Sequence, residues 1–387
     1  MRRQIHVLTP GDHFSPRTGS AVPTVVNGLC AHRPSGALRP MVLVQSDTYR
    51  ERYESADVLE YEPPPSEASR RPLGRSADAA FGRVGLPRLG SRRLFGHVLS
   101  DQASWDPSVL VSHNAPQMVP LVDSSRHAAV LFAHNTLLRS YTRRESRRVL
   151  DRAELVVCVS KWLAEQTAPH LPRSLRDRLR VLHNGVDARA FAAPEGAEAS
   201  RTPDSSSLRV LYVGRVVPDK GVHVLVDAVS RLPHLDLRLQ VIGSGGFSAT
   251  DPPTSYETEI RRGLSRLGDR ASWMPFQPRS ALAPLFHGAD VLVVPSIGDE
   301  AFALTVLEGM AGGAAVIASR TGGIPEAVDG AGLLVEPNDS NALAEALEGL
   351  AGQGPALREL KQAGLRRARR ADWGVVAGQW HEMLADL

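Results

Sequence analysis

Two acidic residues, Glu300 and Glu308, stand eight positions apart in a segment, 295–311, that follows a short apolar run. If a helix begins near Phe302, Glu300 lies just before its first turn. Glu308 then lies nearly two turns further on, about 80° away around the axis at ~100° per residue. Both carboxylates could border one site and accept hydrogen bonds from hydroxyl groups. The spacing predicts a site for a hydroxyl-rich ligand, with one acid on a hexose and the other on a ribose.

A second group of residues has the chemistry of a phosphate site. Gly214 and Arg215 follow an apolar run, and Lys220 lies five residues beyond Arg215, directly ahead of an apolar helical pattern at 222–232. At the carboxyl edge of an open α/β sheet, helix N-termini present free amides and positive potential to anions. Either cation alone is typical of a solvated loop. The acids of the later segment favour the phosphate interpretation.

Two histidines, His113 and His134, directly follow predicted strands and could project into a site. A histidine at a strand end is commonly a structural hydrogen-bonding residue, so that interpretation stays open for both. Gly19 precedes a helical pattern at 21–31, and a single glycine at such a turn is by itself a weak signal.

The elements that must position these residues alternate between apolar β-branched runs and helical patterns, as in parallel sheets covered on both faces. The sequence therefore predicts an α/β fold with two doubly wound domains. The predicted strands are 5–8, 41–44, 109–111, 130–132, 156–159 and 180–182 in the first half, and 209–213, 238–242, 271–274, 291–294 and 315–318 in the second.

A length of 387 residues suits two domains, since single cores rarely exceed ~250 to 300 residues. Polar residues with several helix breakers predict a linker at 196–207. A second polar stretch, 61–93, predicts a long loop from the first domain. The predicted boundaries are listed in chain order. They are a first domain at 1–195, the linker at 196–207, a second domain at 208–370 and a closing helix at 371–387.

These motifs resemble glycosyltransferase family 4, which carries a Gly-Arg turn followed by Lys-Gly and then a Glu-x7-Glu motif. The resemblance extends to 183–187, to the strand and Gly-Gly turn at 315–326, and to a closing helix at 373–387. It is continuous from about residue 156 onward. It implies a GT-B fold, in which an N-terminal acceptor-binding domain and a C-terminal nucleotide-sugar-binding domain, both Rossmann-like, face each other across a cleft. The C-terminal helix is expected to return to the first domain and pack on it.

The resemblance also implies a function: retaining transfer of a hexose-type sugar from a nucleotide-diphosphate sugar to an unidentified acceptor. It assigns catalysis to His134, Glu300, Arg215 and Lys220, and it leaves His113 as a candidate for acceptor binding. The residues that it assigns to the donor are Gly19, Gly214, Arg215, Lys220, Met274, Glu300, Phe302, Ala303, Leu304 and Glu308.

One position departs from the family pattern. Ala303 stands where family members usually have glycine, and its methyl group narrows the approach to the backbone. A negative φ at this residue would tolerate alanine, whereas a positive φ would strain the turn. We expect tolerance.

Composition limits the partners. A net charge of +3 is small for a nucleic-acid-binding protein, and no Asp-x-Asp motif indicates a metal, so we expect neither nucleic acid nor a metal cofactor. Cys30 and Cys158 lie in apolar sequence and are expected to be buried thiols.

The N-terminus lacks a signal-peptide core, which indicates a cytoplasmic protein. Peripheral membrane contact through the arginine-rich segment 141–152 is a less favoured alternative.

Other functions remain open alternatives. A glycosidase would use two carboxylates but no phosphate-binding cations. A nucleotide-sugar epimerase of the same fold would need no acceptor, and an inactive nucleotide-sugar-binding subunit would need no catalysis. A dehydrogenase would require Gly-x-Gly-x-x-Gly after the first strand, and the glycines at 243–246 lack that spacing and position.

Overall fold

The structure is a computed structural model that describes residues 2–63, 78, 81–82, 88–194, 207–247, 252–351 and 354–387. The chain divides into two compact units. The first contains Met1–Pro16, Ser20–His183 and Val376–Leu387, and the second contains Arg17–Gly19 and Asn184–Val375. Apart from Ser207, the predicted linker lies outside the described residues. The domain boundaries drawn from the sequence therefore stay a prediction.

The first unit is built on a seven-stranded parallel sheet with the order β3-β2-β1-β4-β5-β6-β7. Its strands are β1 (Arg3–Val7), β2 (Met41–Gln45), β3 (Asp57–Tyr61), β4 (Ser108–His113), β5 (Ala128–Ala133), β6 (Ala153–Cys158) and β7 (Leu179–Val181). Every residue of β4 and β5 is buried, as expected of central strands covered on both faces.

Helices connect these strands. They are α1 (Ala21–Ala31), α2 (Leu89–Val98), α3 (Arg143–Leu150), α4 (Lys161–Thr167) and the single turn α5 (Arg173–Arg176). Helix α2 begins inside the stretch predicted as a loop, because Phe95 and Val98 bury apolar side chains on one face of an otherwise polar helix. Most of the predicted loop lies outside the described residues.

The second unit is built on a six-stranded parallel sheet with the order β10-β9-β8-β11-β12-β13. This is the doubly wound order of dinucleotide-binding folds. Its strands are β8 (Leu208–Val213), β9 (Leu237–Ile242), β10 (Ala271–Met274), β11 (Val291–Val294), β12 (Ala315–Ser319) and β13 (Leu333–Val335). The predicted α/β class with two doubly wound domains is confirmed.

Helices α6 (Val222–Ser230), α7 (Ser255–Arg266), α8 (Leu282–His287), α9 (Leu304–Ala311), α10 (Ile324–Val328), α11 (Ser340–Leu350) and α12 (Gly354–Arg370) complete the second unit. A last helix, α13 (Trp373–Met383), contains the point at which the chain passes from the second unit to the first. None of the described helices combines the length and the apolar character needed to cross a bilayer.

The C-terminal residues are part of the first unit's core. Trp380 is fully buried, stacks against Phe132 and donates a hydrogen bond from Nε1 to Oε1 of Gln4 over 2.8 Å. The amide nitrogen of the same glutamine lies 3.1 Å from Nε2 of His381. The first strand is therefore joined to the last helix by paired polar groups.

Cys30 and Cys158 are buried free thiols, as predicted, and burial raises the pKa of each to about 12.

Asp290 anchors helix α12 beside strand β11. Its carboxylate, 1% exposed, lies 3.0 Å from Nζ of Lys361 and 3.3 Å from Nε of Arg209. Burial alone would raise the pKa of Asp290, but Lys361 and Arg209 outweigh it and lower the pKa below the ordinary value. The folded state therefore favours the ionised form.

Replacing this buried acid should destabilise the protein. We expect Asp290→Asn to lower the free energy of unfolding by roughly 3 kcal/mol, because Lys361 loses its buried charge partner. The matched change Asp227→Asn should cost less than ~1 kcal/mol, because that carboxylate is 52% exposed beside Arg231.

Urea unfolding of both variants at several pH values measures the two effects. Because the folded pKa of Asp290 is lowered, its contribution is complete above its unfolded pKa of ~3.9. The contribution disappears as the pH falls through the lower folded pKa. Equal losses in the two variants at neutral pH would contradict this assignment.

Candidate functional site

The second sheet brings the predicted phosphate and sugar residues to one edge. Strand order reverses between β8 and β11, which are direct neighbours, with Val210 opposite Val291. The loops leaving the carboxyl ends of these strands therefore run to opposite sides and leave a crevice, the usual ligand site of such sheets. Gly214 and Arg215 follow β8, and the segment 295–303 follows β11.

An ion pair joins the two loops. Nζ of Lys220 contacts Oε1 of Glu300, and the hydroxyl of Ser296 donates to the same oxygen over 3.0 Å. The side chains of Lys220 and Glu300 are 28% and 17% exposed, so neither is a freely solvated surface group. The structure thus brings together the cation and the acid that lie 80 residues apart in the sequence.

Backbone contacts fix the same two loops. The amides of Ile297 and Gly298 both donate to the carbonyl of Asp219, over 2.8 and 3.0 Å. Gly221 has a φ of 66° and its α-carbon faces the carbonyl oxygen of Pro295 so closely that a Cβ would overlap it. Glycine is therefore required here on two grounds, positive φ and close backbone approach.

The Gly-Gly turn after β12 holds the backbone of Glu300. The amide of Gly323 donates to the carbonyl of Glu300 over 2.7 Å. Gly322 has a φ of 56°, and a Cβ on it would overlap the backbone of Glu300. The glycines at 322 and 323 therefore position the Glu300 carboxylate by fixing the backbone of Glu300.

Glu308 lies on helix α9 and is 2% exposed, with the guanidinium of Arg279 at 2.6 Å from Oε1. The same oxygen makes no hydrogen bond of good geometry within the described residues, so it keeps capacity to accept one. The guanidinium of Arg279 also lies 5.3 Å above the ring of Phe191. Glu308 is thus a buried, charge-balanced acceptor.

Helix α9 begins at Leu304, two residues later than the sequence predicts, so Glu300 belongs to the preceding loop. Ala303, at the N-cap, has a φ of −94°, which any L-residue adopts without strain, so its methyl group is tolerated as expected. Phe302, Ala303 and Leu304 are buried, and no side chain caps the helix. The amide of Val306 donates to the carbonyl of Ala303 over 3.2 Å. The amides ahead of it in the first turn remain available to an acceptor.

The remaining predicted donor residues also belong to the second unit. The hydroxyl of Tyr212 donates to the carbonyl of Arg215 over 2.6 Å, and the guanidinium of Arg215 lies 5.5 Å from the ring centre of Phe247. Met274 ends the edge strand β10. Gly19 groups with this unit, where it lies against the ring of Phe247.

The first unit contains a row of three buried histidines on adjacent strands. Nδ1 of His6, in β1, lies 2.9 Å from Nε2 of His113 at the end of β4. Nδ1 of His113 lies 2.9 Å from Nε2 of His134, which directly follows β5. His113 is fully buried and both of its ring nitrogens are engaged, so it has none left for an acceptor substrate, contrary to its prediction as a candidate.

Burial keeps this histidine row neutral. It lowers the pKa of His6 and of His134 to about 3, and the pKa of His113 lies well below its ordinary value for the same reason. His134, 7% exposed, is the member nearest the surface. Its backbone amide donates to Oδ1 of Asn114 over 2.7 Å, and its ring stacks on Phe132.

Two family profiles match consecutive parts of this chain. The profile described as "Glycosyltransferase Family 4" matches residues 47–190, and the one described as "Glycosyl transferases group 1" matches residues 207–353. The chain belongs to glycosyltransferase family 4. Apart from the closing helix at 373–387, the motifs that carry the resemblance in the sequence fall within these matches.

Named relatives of this family 4 chain include D-inositol 3-phosphate glycosyltransferases. That of Mycobacterium sp. (strain KMS) is 33% identical over 217 residues, which are 54% of this chain and 47% of the relative. That of Corynebacterium aurimucosum is 30% identical over 285 residues, 69% of this chain and 66% of the relative. The chain thus spans about half the length of the first of these relatives.

Solved structures share the fold of the family 4 chain. Anabaena HepE, in complex with UDP and glucose, has a TM-score of 0.74 at 18% identity and 100% coverage of both chains. Sucrose-phosphate synthase from Thermosynechococcus elongatus has a TM-score of 0.75 at 22% identity, covering 100% of this chain and 99% of that one. At these identities the likeness shows the fold.

Three residues of the family 4 chain that the sequence analysis does not name contact predicted site residues of their own unit. Ser296 could have been found as the hydroxyl that follows β11 at the crevice. His6 could have been suspected as a polar residue inside an apolar strand. Arg279, the partner of Glu308, has no such signal, because the two lie 29 residues apart on elements whose packing the sequence does not reveal.

The Gly-Gly turn gives a testable prediction. We expect Gly322→Ala to lower the free energy of unfolding by about 3 kcal/mol, because it combines a positive φ with overlap of the Glu300 backbone. The matched variant Gly330→Ala should lose only about 1 kcal/mol, since Gly330 has a φ of 73° and open space around it. Chemical denaturation measures both, and similar losses would contradict the close-approach argument.

Proposed function

We propose that this chain transfers a hexose-type sugar from a nucleotide-diphosphate sugar to a hydroxyl-bearing acceptor, with retention of anomeric configuration. The observation that carries the proposal is the meeting of Lys220 and Glu300 at the crevice between β8 and β11. That crevice combines a phosphate-binding cation with a hydroxyl-binding carboxylate. A nucleotide-diphosphate sugar presents both a charged diphosphate and a polyhydroxyl ring.

The donor site follows from the chemistry of each group. Arg215, Lys220 and the free amides of the first turn of α9 bind the diphosphate. Glu300 accepts hydrogen bonds from the sugar, and Glu308 uses its remaining acceptor capacity for the ribose hydroxyls. Arg279 balances the buried charge of Glu308, which would otherwise be costly to keep ionised.

The transfer step needs no enzyme nucleophile. The bond between the anomeric carbon and the diphosphate oxygen breaks, leaving a short-lived oxocarbenium-like ion pair. The acceptor hydroxyl attacks from the face that the diphosphate leaves, and its proton passes to the departing phosphate oxygen. Negative charge grows on that phosphate, so Arg215 and Lys220 stabilise the transition state more than the ground state.

The metal-independent form of this chemistry is also a proposal. Two cationic side chains and helix amides supply the positive charge that a divalent ion would otherwise provide. The part of the chain that the structure describes has no group of three or more His, Cys, Asp or Glu residues that could hold a metal ion.

The acceptor is the least defined substrate. The relatives named above are D-inositol 3-phosphate glycosyltransferases, so that phosphorylated polyol is the first acceptor to test. The family resemblance gives His134 the role of contacting the donor sugar, and its position at the end of the histidine row that lies nearest the surface supports that role.

Donor binding can be tested without an acceptor. We expect one of the UDP-, GDP-, ADP- or dTDP-sugars to raise the unfolding temperature without added metal, since ligand at a hundred times its Kd adds about 2.7 kcal/mol. Arg215→Ala and Glu308→Ala should each lose this stabilisation. Arg238→Ala is the matched control, because that exposed arginine lies at the amino end of β9, at the opposite edge of the same sheet.

The outcomes separate the competing functions. Stabilisation by no nucleotide would refute the donor site. Binding without turnover of any acceptor would indicate a nucleotide-sugar-binding subunit, and conversion of the sugar without an acceptor would indicate an epimerase.

Turnover tests the mechanism. With a productive acceptor, we expect Arg215→Ala to lower kcat by about a hundredfold to a thousandfold, the usual loss for one transition-state donor. NMR of the product should show the anomeric configuration of the donor, and EDTA should leave the rate unchanged. An inverted product or a chelator-sensitive rate would contradict the corresponding part of the proposal.

A further inference from the structure

The histidine row of the first unit, His6, His113 and His134, constrains where its protons can lie. A neutral imidazole has one N–H donor and one acceptor nitrogen. His113 is hydrogen-bonded at both nitrogens, so it must donate at one and accept at the other. The two hydrogen bonds of the row therefore run in the same direction, either toward His6 or toward His134.

The inner end of the row decides between the two directions. Nε2 of His6 is buried and has no hydrogen-bond partner within the described chain. A proton on that nitrogen would be an orphaned buried donor, which proteins avoid more strictly than an unpaired acceptor. The proton of His6 therefore lies on Nδ1 and is donated to Nε2 of His113. His113 in turn donates from Nδ1 to Nε2 of His134.

We infer that His6 and His113 are positioning residues that hold His134 as its Nδ1–H tautomer, so that His134 donates a hydrogen bond to a ligand oxygen. Nδ1 of His134 has no hydrogen-bond partner among the described residues. The assignment of that ligand as the sugar nucleotide rests on the function proposed above. Once Nδ1 of His134 carries a proton, it has no lone pair with which to act as a base. His134 therefore recognises an oxygen and does not deprotonate the acceptor.

Two further contacts keep the ring in place. The ring of Phe132 stacks on the His134 ring at a centroid distance of 4.5 Å, and Oδ1 of Asn114 accepts from the His134 backbone amide. The lowered pKa values keep the row neutral at physiological pH, which the alternation of donors and acceptors requires. Orientation and tautomer are thus set by different neighbours.

The tautomer can be observed directly in the wild-type protein. Labelling with ring-¹⁵N histidine separates protonated from unprotonated nitrogens by chemical shift, and loss of one signal set in His134→Gln assigns that residue. We expect Nδ1 of His134 to be protonated and Nε2 to be unprotonated. The reverse pattern would overturn the inference, whatever the protein's activity.

A matched pair of variants tests the positioning role. In His113→Asn the amide N–H can replace the Nδ1 donor, whereas His113→Leu has nearly the same shape but no donor. We expect His113→Asn to keep the His134 tautomer and to retain kcat within about threefold. His113→Leu should show mixed tautomers at His134 and lose about tenfold in kcat, equivalent to one ordinary hydrogen bond.

Equal activity of the two His113 variants would also overturn the inference. Nucleotide-dependent stabilisation of the wild type and of His113→Leu serves as the separate control for the donor site. If no sugar nucleotide stabilises the wild type, the proposed function fails while the ¹⁵N spectrum still decides the tautomer. If nucleotides bind and the spectrum shows Nε2–H at His134, the donor site stands and the inference fails.

Discussion

The parallel pairing of β8 with β11 is the constraint on which the candidate site depends. Because the chain leaves these neighbouring strands toward opposite sides, no connection fills the space beyond their carboxyl ends. The polar residues after each strand then face one another there. Lys220 and Glu300 meet because of topology, and the apolar strands beneath them hold the distance between the two loops.

Charge balance explains which side chains surround the acids. A partly or fully buried carboxylate is costly unless a cation or hydrogen-bond donors compensate it. Glu300 has Lys220 and Ser296, and Glu308 has Arg279. In the first unit, the buried imidazoles are instead neutral and are hydrogen-bonded to one another. Each arrangement leaves unused hydrogen-bonding capacity, at Oε1 of Glu308 and at Nδ1 of His134, which is what a ligand requires.

Periodicity in the sequence revealed the fold class and most strands, because buried parallel strands are long apolar runs that hardly depend on their partners. It missed β3, a partly exposed edge strand, and β13, which has three residues. Glu300, Lys220 and His134 could be predicted because they lie in the segments that directly follow buried strands. The pairing of Glu308 with Arg279, and the burial of His113 between two rings, depend on tertiary packing and could not be read from spacing.

The hydrogen bond from Trp380 to Gln4 joins positions 376 residues apart. During synthesis, the ribosome releases the first unit's strands long before it releases the helix that completes their core. The second unit, almost continuous in sequence, can finish folding while its predecessor still waits for Val376–Leu387. The half of the protein that is made first is therefore the half whose core is completed last.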